Sequence, residues 1–391
     1  MNGTHRFPLQ ERVIYGKPAA EAVADEVTAL GIDRVCVMST RSLGGEDGLA
    51  SRIAVALHPR CRGLYAGITA HSPRACVIEG AARARAADAQ LLIAVGGGSV
   101  IDATKAMLLC LWLGLTRAEE MEPYRRGGTR AARLDPSRRP AGMDQAIRML
   151  AVPTTFSAAE FTSAAGITNP ARGGKEGFEH PLLIPQTVVL DPAATLATPR
   201  ELLLSTGVKA LDHAVERFCT PETNPYSDAT ASKAIQLLAR ALPAIKTRPH
   251  ELAARLDGQL GMWLSITGGV AGIGIGASHA IGHILGGRFG VPHGITSCVT
   301  LPAVLHWNAS VNASRQRSVS ALMGAPERAA SDIIRDIVNG LGLPARLRDI
   351  GIRREDLAAI AEHTMRDPAV PANPRKISGP QDIAEILDLA W

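Results

Sequence analysis

LLIAVGGGSVIDATKA, residues 91–106, decides the fold. An unbroken apolar run ends in Gly96-Gly97-Gly98-Ser99, and a helical pattern starts at once. A strand buried on both faces reads as such a run. A strand that feeds a helix through glycines is the opening of a βαβ unit. Glycines let a phosphate come close to the backbone, and the start of a helix offers free N–H groups and a partial positive charge. The segment therefore reads as a pyrophosphate cradle formed by Gly97, Gly98 and Ser99, with Ser99 as the helix cap and Asp102 one turn on. It is not the G-x-G-x-x-G fingerprint, and a plain tight βα turn is the competing reading.

Outward from this stretch, strand and helix signals alternate. Upstream come RVIYG, the helix AAEAVADEVTALG, the strand RVCVMST (34–40), the helix ASRIAVALHP, the strand GLYAGIT and the helix ACVIEGAARARAADA. Downstream come RMLAVPTT and TVVLDP (187–192), both strands. This rhythm predicts a largely parallel sheet covered on both faces. After Pro192 the strand signals fade and long helical patterns take over, from RELLLSTGVKALDHAVERFC to QDIAEILDLA. The expected division is 1–192, a dinucleotide-binding α/β domain, and 193–391, an all-helical substrate and catalytic domain. No short-period repeat is visible.

Composition agrees with two domains, since 391 residues exceed one ordinary core. Hydrophobic content of 46% and charged content of 20% fit a soluble globular chain, and only 4% aromatic residues leave Ala, Val, Leu and Ile to build the core. The formal charge is +5, and RRGGTRAARLDPSRRP (125–140) holds six arginines against one aspartate. A solvated basic loop or an anion-attracting lid explains it; no nucleic-acid motif accompanies it. The six cysteines show no C-x-x-C spacing, so buried free thiols in a reducing cytoplasm are expected. MNGTHRFPLQER lacks the apolar stretch of a signal peptide, and MLLCLWLGL is too short for a bilayer and reads as a buried helix.

Three further stretches carry chemistry. VPTTFSAAEFT (152–162) sets Thr154, Thr155 and Ser157 at a strand end, where hydroxyls could reach the same cofactor. GVKALDHAVERF (207–218) places Lys209 and His213 four apart on one helix face, and SHAIGHILGGRFGVPHG (278–294) does the same for His279 and His283. His293 follows a glycine-rich turn that can fold back on that helix. A lone histidine on an apolar helix is usually a core residue; four histidines and a lysine in Gly- and Ala-rich helices point to a site. At the end of the second strand, VMSTRSL (37–43) has Thr40 and Arg41 where NAD-preferring sites place an acidic residue. That tolerates a 2′-phosphate, so NADPH or NADH is expected.

Together GGGS, PTTFSAAE, G-V-x-A-L-x-H-A-V-E and H-x-x-x-H-x-L-G-G-x-F-x-x-P-H-G resemble the iron-containing alcohol dehydrogenases. The likeness runs from VIYG to NPRKISGPQDIAEILDLAW. Within the family, PTTFSAAEFT and GITAHSP (67–73) are similar to the maleylacetate reductase branch, which reduces the C=C bond of maleylacetate with NADH or NADPH. The resemblance implies an N-terminal Rossmann-like α/β domain plus an all-α C-terminal domain, of dehydroquinate synthase-like architecture, with the active site in the cleft between them. It also implies a cytoplasmic homodimer acting on a small molecule, with no nucleic acid and no membrane.

Metal-dependent members hold iron or zinc with one Asp and three His. The histidines map to His213, His279 and His293, but Lys209 occupies the Asp position. An ammonium has no lone pair, and at an effective dielectric of about 20 and about 4–5 Å it disfavours a dication by roughly 7–8 kcal/mol at the upper end. Asp212 lies about 100° round the helix from His213 and reads as a surface or pairing residue. No metal is therefore expected. Lys209 and the histidines are expected to stabilise negative charge developing on a substrate oxygen, with His283 favoured as proton donor over His279 and His293. Arg288 could hold a substrate carboxylate, or be a surface arginine on a turn.

These residues predict an NAD(P)H-dependent, metal-independent reductase of a small carboxylated enone or oxo compound. The alternatives are a metal-dependent alcohol or aldehyde dehydrogenase, a sugar-phosphate cyclase-like lyase, and a non-catalytic binding protein. The 114–148 segment is longer than maleylacetate reductases lead one to expect, so it is placed to reshape the substrate pocket.

Overall fold

The computed structural model describes residues 7–391 except 130–146, 173 and 271, and within it the chain forms two compact units, Phe7–Ala197 and Thr198–Trp391. The first unit holds β1 (Arg12–Tyr15), α1 (Ala19–Ala29), β2 (Val35–Ser39), α2 (Leu49–Ala56), β3 (Cys61–Tyr65), α3 (Arg74–Ala86), β4 (Leu91–Gly96), α4 (Gly98–Leu113), β5 (Arg148–Pro153), β6 (Ala164–Asn169), β7 (Gly174–Glu179) and β8 (Thr187–Leu190). Six strands form one parallel sheet in the order β1-β8-β5-β4-β2-β3. The sequences VCVMS, LLIAVG and TVVL are almost wholly apolar because β2, β4 and β8 lie inside the sheet with both faces covered; all their residues are buried, and the hydroxyls of Ser39 and Thr187 are hydrogen-bonded. The edge strands β1 and β3 are only partly buried.

Strand order fixes where a ligand belongs. From β2 the chain steps outward to β3, then returns to β4 on the other side of β2 and continues to β5. The order therefore reverses at β2 and β4, and in open parallel sheets the crevice beyond the carboxyl ends of such strands is the ligand site. Thr40 follows β2, and the three glycines end β4.

GLYAGIT is a strand only as far as Tyr65, and its remainder is loop. The hairpin β6–β7 carried no strand signal, because its strands AAGITN and GKEGFE are rich in Ala and Gly and lack β-branched alternation. It is held by side chains instead. The Lys105 ammonium, fully buried in α4, donates to the carbonyls of Ala159 (2.6 Å) and Ala164 (2.8 Å), and Arg74 binds Glu176 of β7 at 2.5 Å. The MLLCLWLGL run lies in α4, where Met107 to Cys110 are completely buried. Among the described residues no single helix is long and apolar enough to cross a membrane. All six cysteines are free thiols, five buried and Cys61 half-buried.

The second unit is helical: α5 (Arg200–Cys219), α6 (Pro225–Thr247), α7 (Leu252–Val270), α8 (Ala277–Phe289), α9 (His293–Leu322), α10 (Ala330–Leu341), α11 (Leu357–Thr364) and α12 (Pro380–Ala390). α9 was not legible as one helix, because GITSCVTLP is β-branched and ends in Pro302, and a kink falls at Asn312. α5 is the central rod and packs on α6, α7 and α9. Every residue of α5 from Leu203 to Cys219 is buried except Lys209.

Candidate functional site

In the first unit the site is made by what the glycines leave out. Gly97 is the N-cap of α4, and among the described residues no side chain caps this helix. Ser99 is therefore not the cap. It lies inside the first turn, where its Oγ accepts the His71 backbone N–H (3.2 Å) and its carbonyl accepts the Ser72 hydroxyl (2.7 Å). GITAHSP is thus folded onto the glycine loop, and His71 and Ser72 both take positive φ, 64° and 52°, to reach it.

VPTTFS lies against the same loop. Gly96 pairs with Pro153 across β4 and β5, and the Thr154 N–H donates to the Gly96 carbonyl at 3.1 Å. A Cβ on Gly97 would stand 2.9 Å from Thr155 Cγ2, and one on Gly98 would stand 3.0 Å from Ser157 Oγ. Thr155 Oγ1 is buried without a partner among the described residues, a hydroxyl that a bound group would satisfy. An uncapped helix start, bare glycines and this hydroxyl fit a nucleotide pyrophosphate. The Asp102 carboxylate accepts the Gly166 N–H (3.1 Å) and ties α4 to β6. Thr40 sits at the end of β2 with its hydroxyl 3.0 Å from that of Ser42.

In the second unit, α5, α8 and the first residue of α9 bring four imidazoles together. The His213 and His279 rings stack with centroids 4.7 Å apart, those of His283 and His293 at 5.7 Å, and His279 meets His293 edge-on at 6.0 Å. The glycine-rich turn does fold back. Lys209 opens onto this group from the otherwise buried α5, and its charge depresses the basicity of both His213 and His279. Burial is the larger cause: it holds His213 well below the usual imidazole range and His279 down at about 3. Both rings are neutral at pH 7.

Behind His279 stands a brace that sequence reading did not find. Glu216 Oε2 lies 2.8 Å from His279 Nδ1 and accepts the Gly276 N–H (3.0 Å), while Oε1 accepts the Ser278 N–H (2.8 Å). Asp212, placed as a surface or pairing residue, pairs and is wholly buried: it accepts the Ser278 hydroxyl at 2.7 Å and lies 3.6 Å from His279 Nδ1. Burial pushes both carboxyls up to about 7. Three N–H donors converge on Glu216, so its oxygens accept, and His279 carries its proton on Nδ1 and leaves Nε2 bare. Asp212, Glu216 and His279 present their ligand atoms within 4.8 Å of one another, but the donors already engaging both carboxylates make the group a brace rather than a metal cage. The signal for it lay in the sequence: Asp212 and Glu216 are four apart on α5, like Lys209 and His213.

His283 is the exposed member of the set, with its side chain 42% accessible and Nδ1 2.9 Å from Asp367 Oδ2. Arg288 is exposed on the last turn of α8. Of the basic stretch, Arg125 and Arg126 are described and paired with Glu122 and Glu179; residues 130–146 lie outside the described residues.

Against the family's set of one Asp and three His, the chain thus presents three imidazoles and an ammonium. The imidazoles converge as a metal would need, but the carboxylate that would offset a dication's charge is replaced by a cation. The donor set departs from the family's at its acidic position.

Two family models cover nearly the whole chain: iron-containing alcohol dehydrogenase over residues 10–192, and the C-terminal part of the Fe-containing alcohol dehydrogenase family over 203–391. Maleylacetate reductase 2 of Cupriavidus pinatubonensis is 32% identical over 99% of this chain and 96% of its own length. Maleylacetate reductase of Sphingobium indicum is 32% identical over 98% and 96%. The crystal structure of maleylacetate reductase from a Rhizobium species superposes with a TM-score of 0.82 at 26% identity, covering 100% of this chain and 98% of that one. The chain belongs to the iron-containing alcohol dehydrogenase family and is an NAD(P)-dependent oxidoreductase.

Proposed function

We propose that this chain is a maleylacetate reductase-like enzyme that reduces a small carboxylated enone or oxo compound with NADPH or NADH and without a metal. The observation that carries the reading is Lys209, the one residue between Leu203 and Cys219 of α5 that is not buried and the charge beside His213 and His279. Gly97, Gly98, Ser99, Thr154, Thr155 and Ser157 hold the dinucleotide, and Thr40 and Arg41 leave room for a 2′-phosphate. A bound nicotinamide supplies hydride. The protein supplies the rest. Hydride addition to an enone or carbonyl leaves negative charge on oxygen, and a fixed ammonium in a low-dielectric site stabilises that charge. His283, exposed and hydrogen-bonded to a carboxylate, delivers the proton and is resupplied from solvent. Arg288 is a candidate for the substrate carboxylate.

A second reading has an observation of its own. The Glu216–His279 pair leaves His279 Nε2 bare, as a metal-binding imidazole requires, so a metal-dependent alcohol or aldehyde dehydrogenase is the competitor. The deciding experiment is a reductase screen over dicarboxylic enones, oxo acids and aldehydes, run with and without chelator, with metal content measured on the same preparation. Activity on a carboxylated enone that survives the chelator at substoichiometric metal is the expected result. Activity that needs a stoichiometric metal would refute the proposal.

A further inference from the structure

The Asp367–His283 pair has the form of an orienting dyad. Asp367 follows α11 in the sequence RDPAVP, and its carboxylate is fixed at both oxygens. Oδ1 accepts the Ala369 backbone N–H two residues on, at 2.9 Å, and Oδ2 lies 2.9 Å from His283 Nδ1. The turn itself is closed by the Asp367 N–H on the Thr364 carbonyl (2.9 Å) and the Val370 N–H on the Asp367 carbonyl (3.2 Å). The carboxylate therefore cannot follow the ring; the ring must conform to the carboxylate. Exposure is divided the same way, with the Asp367 side chain 9% accessible and the His283 side chain 42%. A sheltered anion grips one nitrogen of an accessible imidazole.

We infer that Asp367 is a positioning residue that holds His283 as the Nδ1–H tautomer, so that Nε2 is the nitrogen left to exchange protons with substrate. An ionised carboxylate can only accept, so the Nδ1 that meets it must donate. The other ring contacts do not compete for Nδ1. They are the stacked His293 ring at 5.7 Å and the edge of His279 at 6.3 Å, and neither is a hydrogen bond. In the reductase reading, on which the catalytic consequence rests, the N–H bond at Nε2 of the protonated ring breaks as the O–H or C–H bond of the product forms. The imidazole left behind is the tautomer Asp367 already stabilises. Free histidine prefers the opposite tautomer, so without Asp367 the productive state would be the minor one. The tautomer assignment itself does not depend on that reading.

The test uses the full-length protein labelled with ¹⁵N-histidine, with His283→Gln to assign the resonance. In its neutral form His283 is expected to show a protonated Nδ1 and an unprotonated Nε2. Asp367→Asn keeps an oxygen for the Ala369 N–H but can turn an amide N–H toward His283 Nδ1. It should reverse the pattern, leave the thermal midpoint unchanged, and lower kcat by about 10²–10⁴-fold, with KM and cofactor affinity within about twofold. A purely structural role predicts no such split, because the asparagine preserves the turn. If Asp367→Asn does not fold, the wild-type tautomer alone decides. The inference is overturned if wild-type His283 is protonated on Nε2, or if Asp367→Asn changes neither tautomer nor kcat. Failure of the reductase screen with the expected tautomer present would refute the proposed activity and leave the dyad standing.

Discussion

The two candidate sites are built by opposite means. The cradle in the α/β unit is backbone: Gly97 and Gly98 have no side chains, α4 has no cap, and Thr155 and Ser157 press against the space where Cβ atoms would stand. The cluster in the helical unit is side chain: four imidazoles, an ammonium and two buried carboxyls. A backbone site should fail when atoms are added. A side-chain site should fail when charge is moved, with its shape intact.

The largest effect separates the two at once. Gly97→Val puts its Cβ 2.9 Å from Thr155 Cγ2 and its branches beyond that, into the approach of the pyrophosphate. Overpacking and lost charged hydrogen bonds sum to about 4 kcal/mol, so dinucleotide affinity should fall on the order of 10³-fold. Fluorescence titration with NADPH and NADH measures it. The ¹⁵N spectrum of the histidine cluster should not change. Near wild-type binding would place the cofactor elsewhere.

Lys209 gives the converse case. Lys209→Ala should lower kcat by about 10²–10³-fold and leave dinucleotide affinity unaltered, since the cradle residues are in the other unit. Lys209→Asp restores the family's ligand set and should take up Zn²⁺ or Fe²⁺, read by elemental analysis. An alanine variant with full turnover would make the lysine a bystander. An aspartate variant that folds without metal would show that His213, His279 and His293 do not share a focus.

The contrast also explains what could be read in advance. The cradle was legible because its chemistry is local: one strand, three glycines and one helix are contiguous in 91–106, and the sheet that aims them follows from alternation alone. The His cluster was half legible, since i, i+4 spacing finds Lys209 with His213 and His279 with His283 but cannot say what stands behind each ring. Glu216 meets His279 across a separation of 63 residues, and Asp367 meets His283 across 84. No periodicity encodes such pairings. Ser99 was misread as a cap for the same reason: His71, its actual partner, comes from a loop 28 residues upstream.

A moderate effect tests the brace. Glu216→Gln keeps the volume but exchanges a buried carboxyl with three N–H donors for an amide that offers only one acceptor oxygen. Stability should drop by about 2 kcal/mol, measured by urea unfolding. His279 should lose its fixed Nδ1–H tautomer in the same ¹⁵N spectrum used for His283. A variant as stable as wild type would mean that the carboxylate contributes no net stabilisation to the start of α8.

The smallest effect is in the pH dependence of stability, and its sign depends on which members of the cluster remain. Asp212 and Glu216 are raised from 3.8 and 4.5 to about 7 by burial, so between those values the folded chain holds more protons than the unfolded one. Their contribution makes stability fall as pH rises through that window. His279, lowered from 6.5 to about 3, and His213, lowered in the same sense, do the reverse: the unfolded chain takes up more protons, so their contribution makes stability rise with pH up to about 6.5. Two groups oppose two, and the cluster should leave the wild-type unfolding free energy nearly flat between about pH 4.5 and 6.5. Removing one member breaks the balance. Asp212→Asn leaves the histidines in excess, and stability should climb with pH by up to about 1.4 kcal/mol per unit. His279→Gln leaves the carboxyls in excess, and the slope should take the opposite sign. Urea midpoints across the window, on wild type and both variants, measure all three slopes. Parallel profiles would show that the buried cluster does not titrate there, and would remove the electrostatic half of the contrast between the two sites.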